Sequence, residues 1–237
     1  ISFYTGVPDS VLKSLINFLS DKHKNSHLTT TSEGSAVSLG IGYNLATKKI
    51  PLIYLQNSGI GNALNPIYSF ADKRIYSIPM VLLIGRRGFP KHKDEPQHYR
   101  IGETIIKNLE TFNIKSKILS KKNYVNQIKQ TVDNAKKFSK AFALIVPMNF
   151  FEKYEKKKKN KSNNLLKRYE FLKFFLQNID KKDVTISSLG NVSRELFVLN
   201  ERFKRSHKKT LYTIGAMGHA NQIGLSISNK RKQKRTF

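Results

Sequence analysis

Through residues 1–150, short apolar runs alternate with stretches whose apolar residues recur at helical spacing. Ile1–Tyr4 reads as a strand. Pro8 suits a first helical turn, and Val11, Leu12, Leu15, Ile16 and Leu19 then share one helix face. His27–Thr31 predicts a second strand, followed by a helix of small residues over Gly34–Ala46. Pro51–Gln56 is an apolar strand, and a Gly/Asn-rich turn leads from it into a helix near Asn62–Phe70. Ile78–Ile84 and Ala141–Val146 are buried-strand candidates, with a helix over Asn123–Phe138 between them. Strand–helix alternation of this kind predicts an α/β fold with a doubly wound parallel sheet.

The composition shifts at Glu152–Asn164, which contains Lys156-Lys157-Lys158-Lys159 and has no apolar periodicity. Such a stretch reads as a solvated linker. Alternation then restarts. Leu165–Asn178 is an amphipathic helix, Val184–Leu189 a strand, Ser193–Phe203 a helix, Thr210–Ile214 a strand and His219–Ser228 a helix. The closing stretch 229–237 is polar and basic and does not read as a further buried strand. The expected organisation is a first doubly wound domain over 1–150, a charged linker over 151–164, and a second domain of the same type over 165–237. Two strands do not make a sheet with two covered faces. The second domain is therefore expected to be incomplete, either truncated or finished by another chain.

Charge and residue usage narrow the partners. The 237 residues carry 43 Lys and Arg against 16 Asp and Glu, a formal charge of +27. That excess raises nucleic acid as a partner, but the basic residues are spread along the surface and no nucleic-acid-binding motif accompanies them. Nucleic acid is therefore not an expected partner, whereas an anionic small substrate gains from the positive field. The chain has no cysteine, which excludes disulfides, thiol catalysis and Cys-ligated zinc. It has neither a membrane-length apolar run nor a signal peptide, so a cytoplasmic location is expected.

Four stretches carry candidate chemistry. Thr30-Thr31-Ser32-Glu33-Gly34-Ser35-Ala36 sets one carboxylate where a strand ends and a helix of small residues starts. Ligands of open α/β sheets sit at that edge, and a buried carboxyl there can share a proton with a ligand nitrogen. A Glu favoured at a helix start by the macrodipole accounts for it equally well. Gln56-Asn57-Ser58-Gly59-Ile60-Gly61-Asn62 joins a strand to a helix and lets a ligand approach the backbone, although it fits neither phosphate-loop nor dinucleotide patterns. Gly85-Arg86-Arg87-Gly88-Phe89-Pro90 and Asp94-Glu95-Pro96-Gln97-His98 follow another strand. Arginine there suits a carboxylate or phosphonate and His98 suits proton transfer, but the stretch reads equally as an exposed polar loop. A metal at His92 and His98 is a poor reading. Gly215-Ala216-Met217-Gly218-His219-Ala220 lies between strand and helix in the second domain, where a buried Met is more often core than cofactor contact.

Taken in order, these stretches resemble the thiamine-diphosphate-dependent 2-oxo-acid decarboxylases, in particular the phosphonopyruvate and sulfopyruvate decarboxylases. The resemblance rests on Tyr4-Thr5-Gly6-Val7-Pro8-Asp9-Ser10, Ser32-Glu33-Gly34, Tyr54-Leu55-Gln56-Asn57-Ser58-Gly59, Ser77-Ile78-Pro79-Met80, Asp94-Glu95-Pro96-Gln97-His98 and Ile214-Gly215-Ala216-Met217-Gly218-His219-Ala220. It runs from the first residue to about Ser228.

The resemblance implies a pyrimidine-binding first domain and a diphosphate-binding second domain, with the site between subunits of a homo-oligomer. It implies Glu33 as the cofactor-activating glutamate and His98 as a second catalytic residue. Gly190, Gly215, Met217, Gly218 and His219 join Glu33 around thiamine diphosphate. Asp9, Gln56, Asn57 and Arg87 are the implied contacts of a small anionic 2-oxo acid. The implied reaction is decarboxylation of phosphonopyruvate to phosphonoacetaldehyde and CO2 in phosphonate biosynthesis. Sulfopyruvate decarboxylation and a non-catalytic subunit-interaction role remain as alternatives. The family holds Mg2+ with a Gly-Asp-Gly motif and a later Asn. Neither follows Ser228, so no metal ligand is expected here, and the chain alone is expected to bind the cofactor poorly or not at all.

Overall fold

The computed structural model describes residues 1–89, 93–155, 166–216, 218–231 and 235–237. They form two compact units, Ile1–Lys157 and Lys158–Phe237. In the first, β1 (Tyr4–Gly6), α1 (Lys13–Lys22), β2 (His27–Thr29), α2 (Glu33–Thr47), β3 (Leu52–Gln56), α3 (Ile60–Ala71) and β4 (Met80–Gly85) follow one another. Then come α4 (Pro96–Thr111), β5 (Lys115–Ile118), α5 (Tyr124–Phe138) and β6 (Ala141–Val146). All strands are parallel, in the order β2-β1-β3-β4-β6-β5.

The central strands are apolar on both faces because helices cover both. In β4, Met80, Leu82 and Ile84 point into a core shared with α2, α3 and α4. Val81 and Leu83 point the other way, into a core shared with α1 and α5. β6 alternates likewise, with Ala143 and Ile145 on the first side and Phe142, Leu144 and Val146 on the second.

The first strand begins later than the sequence predicts: Phe3 is buried ahead of β1, and pairing starts at Tyr4. The region between β4 and α5 holds two elements that the apolar pattern did not reveal, α4 and β5. Ile101, Ile105 and Leu109 give α4 its inner face, but polar residues separate them. β5 reads Lys-Ser-Lys-Ile, a composition that hides an edge strand.

The second unit contains α6 (Arg168–Asn178), β7 (Thr185–Ser187), α7 (Asn191–Arg202), β8 (Thr210–Tyr212) and α8 (Ala220–Lys230). Leu172, Leu176, Leu196 and Leu199 form its small core. The polar closing residues form no further buried strand, but they do touch the sheet through an isolated bridge. Thr236 forms a parallel bridge with Val184, and Phe237 N donates to Val184 O at 2.9 Å. The strand registers beside β7 thus run β8-β7-Thr236, the same winding as β2-β1-β3 in the first unit. The pairing escapes apolar periodicity because it is made by backbone groups, with Asp183 holding Arg235 at 2.7 Å. Most of the expected linker, residues 156–164, lies outside the described residues. Among the described residues no helix is long and apolar enough to cross a membrane.

Leu82 is fully buried at the centre of the sheet. Leu82→Ala should cost about 2–5 kcal/mol in urea unfolding, whereas Leu225→Ala, at an exposed position of α8, should stay within about 0.5 kcal/mol.

Candidate functional site

The candidate site of the first unit lies at the carboxyl ends of β2, β1, β3, β4 and β6. The connection from β1 runs outward to β2, whereas the connection from β3 runs the opposite way to β4. That reversal opens the crevice in which doubly wound sheets hold ligands.

Glu33 is the first residue of α2 and is only 3% exposed. Ser32 caps the helix by accepting a hydrogen bond from Ser35 N, so the carboxylate of Glu33 is not spent on capping. Asn62 Nδ2 donates to Glu33 Oε2 at 3.0 Å. The loop after β3 approaches so closely that a Cβ on Gly59 would lie 2.2 Å from Glu33 Oε1. Glycine at 59 is therefore a condition of burying Glu33 in this position.

Asp9 follows β1 and is also buried. Its Oδ2 accepts from Val11 N (2.8 Å) and Leu12 N (3.1 Å), while Oδ1 is buried without a hydrogen-bond partner. Burial pushes its carboxyl above the ordinary value, against the opposing pull of the Leu12 and Val11 amides and Arg87. Asn57 is fully buried. Its side chain accepts from Arg87 N at 3.1 Å and donates to Arg87 O at 2.8 Å. Gln56 is half-buried and donates to Ser58 Oγ.

Arg87 is held from two sides. Its guanidinium grips Asp94 through Nε and Nη2, and Nη1 donates to Ser10 Oγ at 3.0 Å. Asp94 also accepts from Gly88 N (2.7 Å) and Glu95 N (2.8 Å). The Arg87 hydrogen bonds hold the Asp94 carboxyl well below the usual range. His98 is half-buried, and its Nδ1 is buried without a partner. Burial, then the Arg87 charge, lowers its pKa and favours the neutral ring. Arg87 lines a cavity of about 340 Å³ with Ser10, Ser14, Met148 and Asn149.

The structure thus brings Asp9, Asn57 and Arg87 together, with His98 on the helix after the Arg87 loop and Glu33 on the far side of the Gly59 turn. Sequence reasoning singled out neither Asp94 nor Asn62 as a site residue. The signals available were an acid seven residues after Arg87 and a polar side chain in the first turn of α3. His92 lies outside the described residues.

In the second unit, Gly190 (φ +85°) precedes α7 and Gly218 (φ +82°) precedes α8. Both adopt the left-handed backbone that favours glycine, and a Cβ at either would meet nothing within 4 Å. Ser193 Oγ joins the two loops, lying 2.8 Å from Ser188 O and 3.0 Å from Thr213 O. Gly215 is half-buried and His219 exposed, while Met217 lies outside the described residues. Among the described residues no group of three His, Cys, Asp or Glu could hold a metal ion.

Residues 1–109 match the thiamine pyrophosphate enzyme family, N-terminal TPP binding domain. Over that stretch, a little under half of its length, the chain is similar to the thiamine pyrophosphate enzymes. It is 35% identical to sulfopyruvate decarboxylase subunit alpha of Methanococcus maripaludis over 114 residues, 48% of this chain and 66% of that one. It is 26% identical to phosphonopyruvate decarboxylase of Streptomyces viridochromogenes over 257 residues, covering 96% of this chain and 60% of that one. Sulfopyruvate decarboxylase subunit beta of Methanocaldococcus jannaschii is 31% identical over 62 residues, 26% of this chain and 30% of that one. The chain therefore spans about two thirds or less of the length of these curated relatives.

Asp94 tests the polar arrangement of the candidate site. Its side chain is 1% exposed, so Asp94→Asn leaves Arg87 charged without its partner. The variant should lose about 3–5 kcal/mol of unfolding free energy at neutral pH. Because the folded-state pKa is depressed, the wild-type advantage holds above about pH 4 and shrinks as pH falls towards the folded value. Urea titrations of both proteins between pH 7 and pH 3 read the difference.

Proposed function

We propose that the chain contributes the pyrimidine-binding domain and part of the diphosphate-binding domain of a 2-oxo-acid decarboxylase that converts phosphonopyruvate to phosphonoacetaldehyde and CO2. One observation carries the reading: a carboxylate 3% exposed, at the helix start after β2 and against a turn that only glycine can form there. A buried carboxyl of this kind suits a cofactor ring nitrogen with which it can share a proton. The open space beside Gly190 and Gly218 suits close backbone approach to a diphosphate. These residues fit thiamine diphosphate, which supplies an electron sink for decarboxylation when bound. The magnesium that accompanies the diphosphate is assigned no ligand among the described residues.

In this reading Glu33 holds the proton at the pyrimidine edge, and Asn62 keeps its carboxyl in place. Asp9 Oδ1 and His98 Nδ1, both buried without a hydrogen-bond partner, are assigned to the substrate. Arg87 supplies positive charge to the cavity, its direction fixed by Asp94 and Ser10. Asn57 acts on substrate through the Arg87 backbone that it holds. The site works as part of a multi-subunit assembly.

Sulfopyruvate is the second reading, favoured by the 35% identity to the alpha subunit of its decarboxylase. Phosphonopyruvate leads because that likeness runs across both units, over 96% of the chain. The ratio of kcat/KM for the two acids, measured on the holoenzyme that contains this chain, decides between them. Glu33→Gln in that holoenzyme should lower CO2 release by about 10²–10⁴-fold while leaving the thermal midpoint within a few degrees. Wild-type-like turnover by the Gln variant sinks the assignment.

A further inference from the structure

On the sheet face that carries α1 and α5, the segment after β6 crosses between the two helices as a strap. At one end Tyr154 N donates to Ser14 Oγ (3.2 Å), Asn17 Nδ2 donates to Tyr154 O (3.3 Å), and the Tyr154 ring meets Phe18 edge-on. At the other end Phe150 packs edge-on against Tyr124 of α5. Beneath and beside the strap lies a groove of about 750 Å³. Leu83 and Leu144 form its floor, and Phe18 and Ile128 stand on opposite walls.

The groove is open to solvent along part of its length, with Phe18, Tyr124 and Ile128 partly exposed in its walls. Its volume falls within the range of about 300–1,000 Å³ in which proteins hold small molecules. The lining is aliphatic and aromatic, which suits a hydrocarbon and offers little to a phosphate or a sugar. Its charged members are Lys121, Lys153 and Glu152, and Lys153 pairs with Glu155 at 2.7 Å, so Lys121 carries the positive end in a chain of net charge +27. A ligand with an apolar body and one negative end matches both features.

We propose that this groove binds a free anionic amphiphile, a medium-chain or long-chain carboxylate. Its hydrocarbon lies under the Phe150–Tyr154 strap and its head group at the lysine-bearing rim. The proposal is independent of the decarboxylase reading. The groove and the Arg87 cavity share Ser14 and Phe151 in their walls, so the site stands beside the catalytic candidate without using Asp9, Asn57, Arg87 or His98.

The test is calorimetric titration of the chain with dodecanoate below its critical micelle concentration. Dodecyltrimethylammonium is the control with the same tail and the opposite charge. Saturable one-to-one binding of dodecanoate is expected, with the cationic analogue about tenfold weaker or more. Ile128→Glu, at a half-exposed wall position, should weaken dodecanoate binding about tenfold or more. Lys121→Glu should weaken it severalfold at low salt and less at high salt. Circular dichroism confirms that each variant is folded, and if one is not, the other variant and the head-group comparison still decide. Absence of saturable binding overturns the proposal, as does equal affinity for the two head groups or for wild type and the Ile128→Glu variant. A chain that sediments as a dimer, becomes monomeric in Ile128→Glu and binds no dodecanoate overturns it too, because the groove then holds a second copy.

Discussion

The polar edge of the first unit is organised by one buried amide. Asn57 accepts from the backbone N–H of Arg87 and donates to its carbonyl, tying the turn after β3 to the turn after β4. Both turns leave the middle of a parallel sheet, where no hairpin hydrogen bonds are available to fix them. With the backbone of Arg87 held, its guanidinium can meet Asp94 and Ser10 together. Asp94 in turn caps the amides of Gly88 and Glu95 and so shapes the loop that leads to α4 and His98. A buried polar network is favourable only when its members are satisfied. Here the exceptions, Asp9 Oδ1 and His98 Nδ1, lie around the Arg87 loop.

The strong parts of the fold were legible because parallel strands covered on both faces must be apolar throughout. β3, β4 and β6 stand out for that reason, and the alternation with helices gave the doubly wound class. β5 and the Thr236 pairing did not stand out because neither depends on a continuous apolar run. One is an edge strand with two lysines in four residues, and the other is a backbone bridge next to an Asp183–Arg235 ion pair. α4 was obscured by its start in the polar sequence Pro96-Gln97-His98, which reads as loop until Ile101.

For the candidate site, motif order singled out the loops, and the geometry adds how their side chains are held. Glu33 could be named from its place before a small-residue helix. That Gly59 and Asn62 enclose it could not, since the contact spans about thirty residues and depends on how α2 and α3 pack. Asn57 and Arg87 were both named as ligand contacts from the loops that bear them. The structure shows that one is the support of the other. Residue type indicates which groups can bind an anion, whereas the direction of each group is set by partners remote in sequence.

The lysines that obscure β5 also have a colloidal role. β5 ends the sheet and leaves one row of backbone N–H and C=O groups without a neighbouring strand. Such a row recruits strands from other molecules unless something discourages them. Lys115 and Lys117 place two positive charges within four residues of that border. A second copy approaching β5 against β5 would bring its own lysines against them, so the charge that conceals the strand from an apolar reading also discourages two sheets from joining at this border.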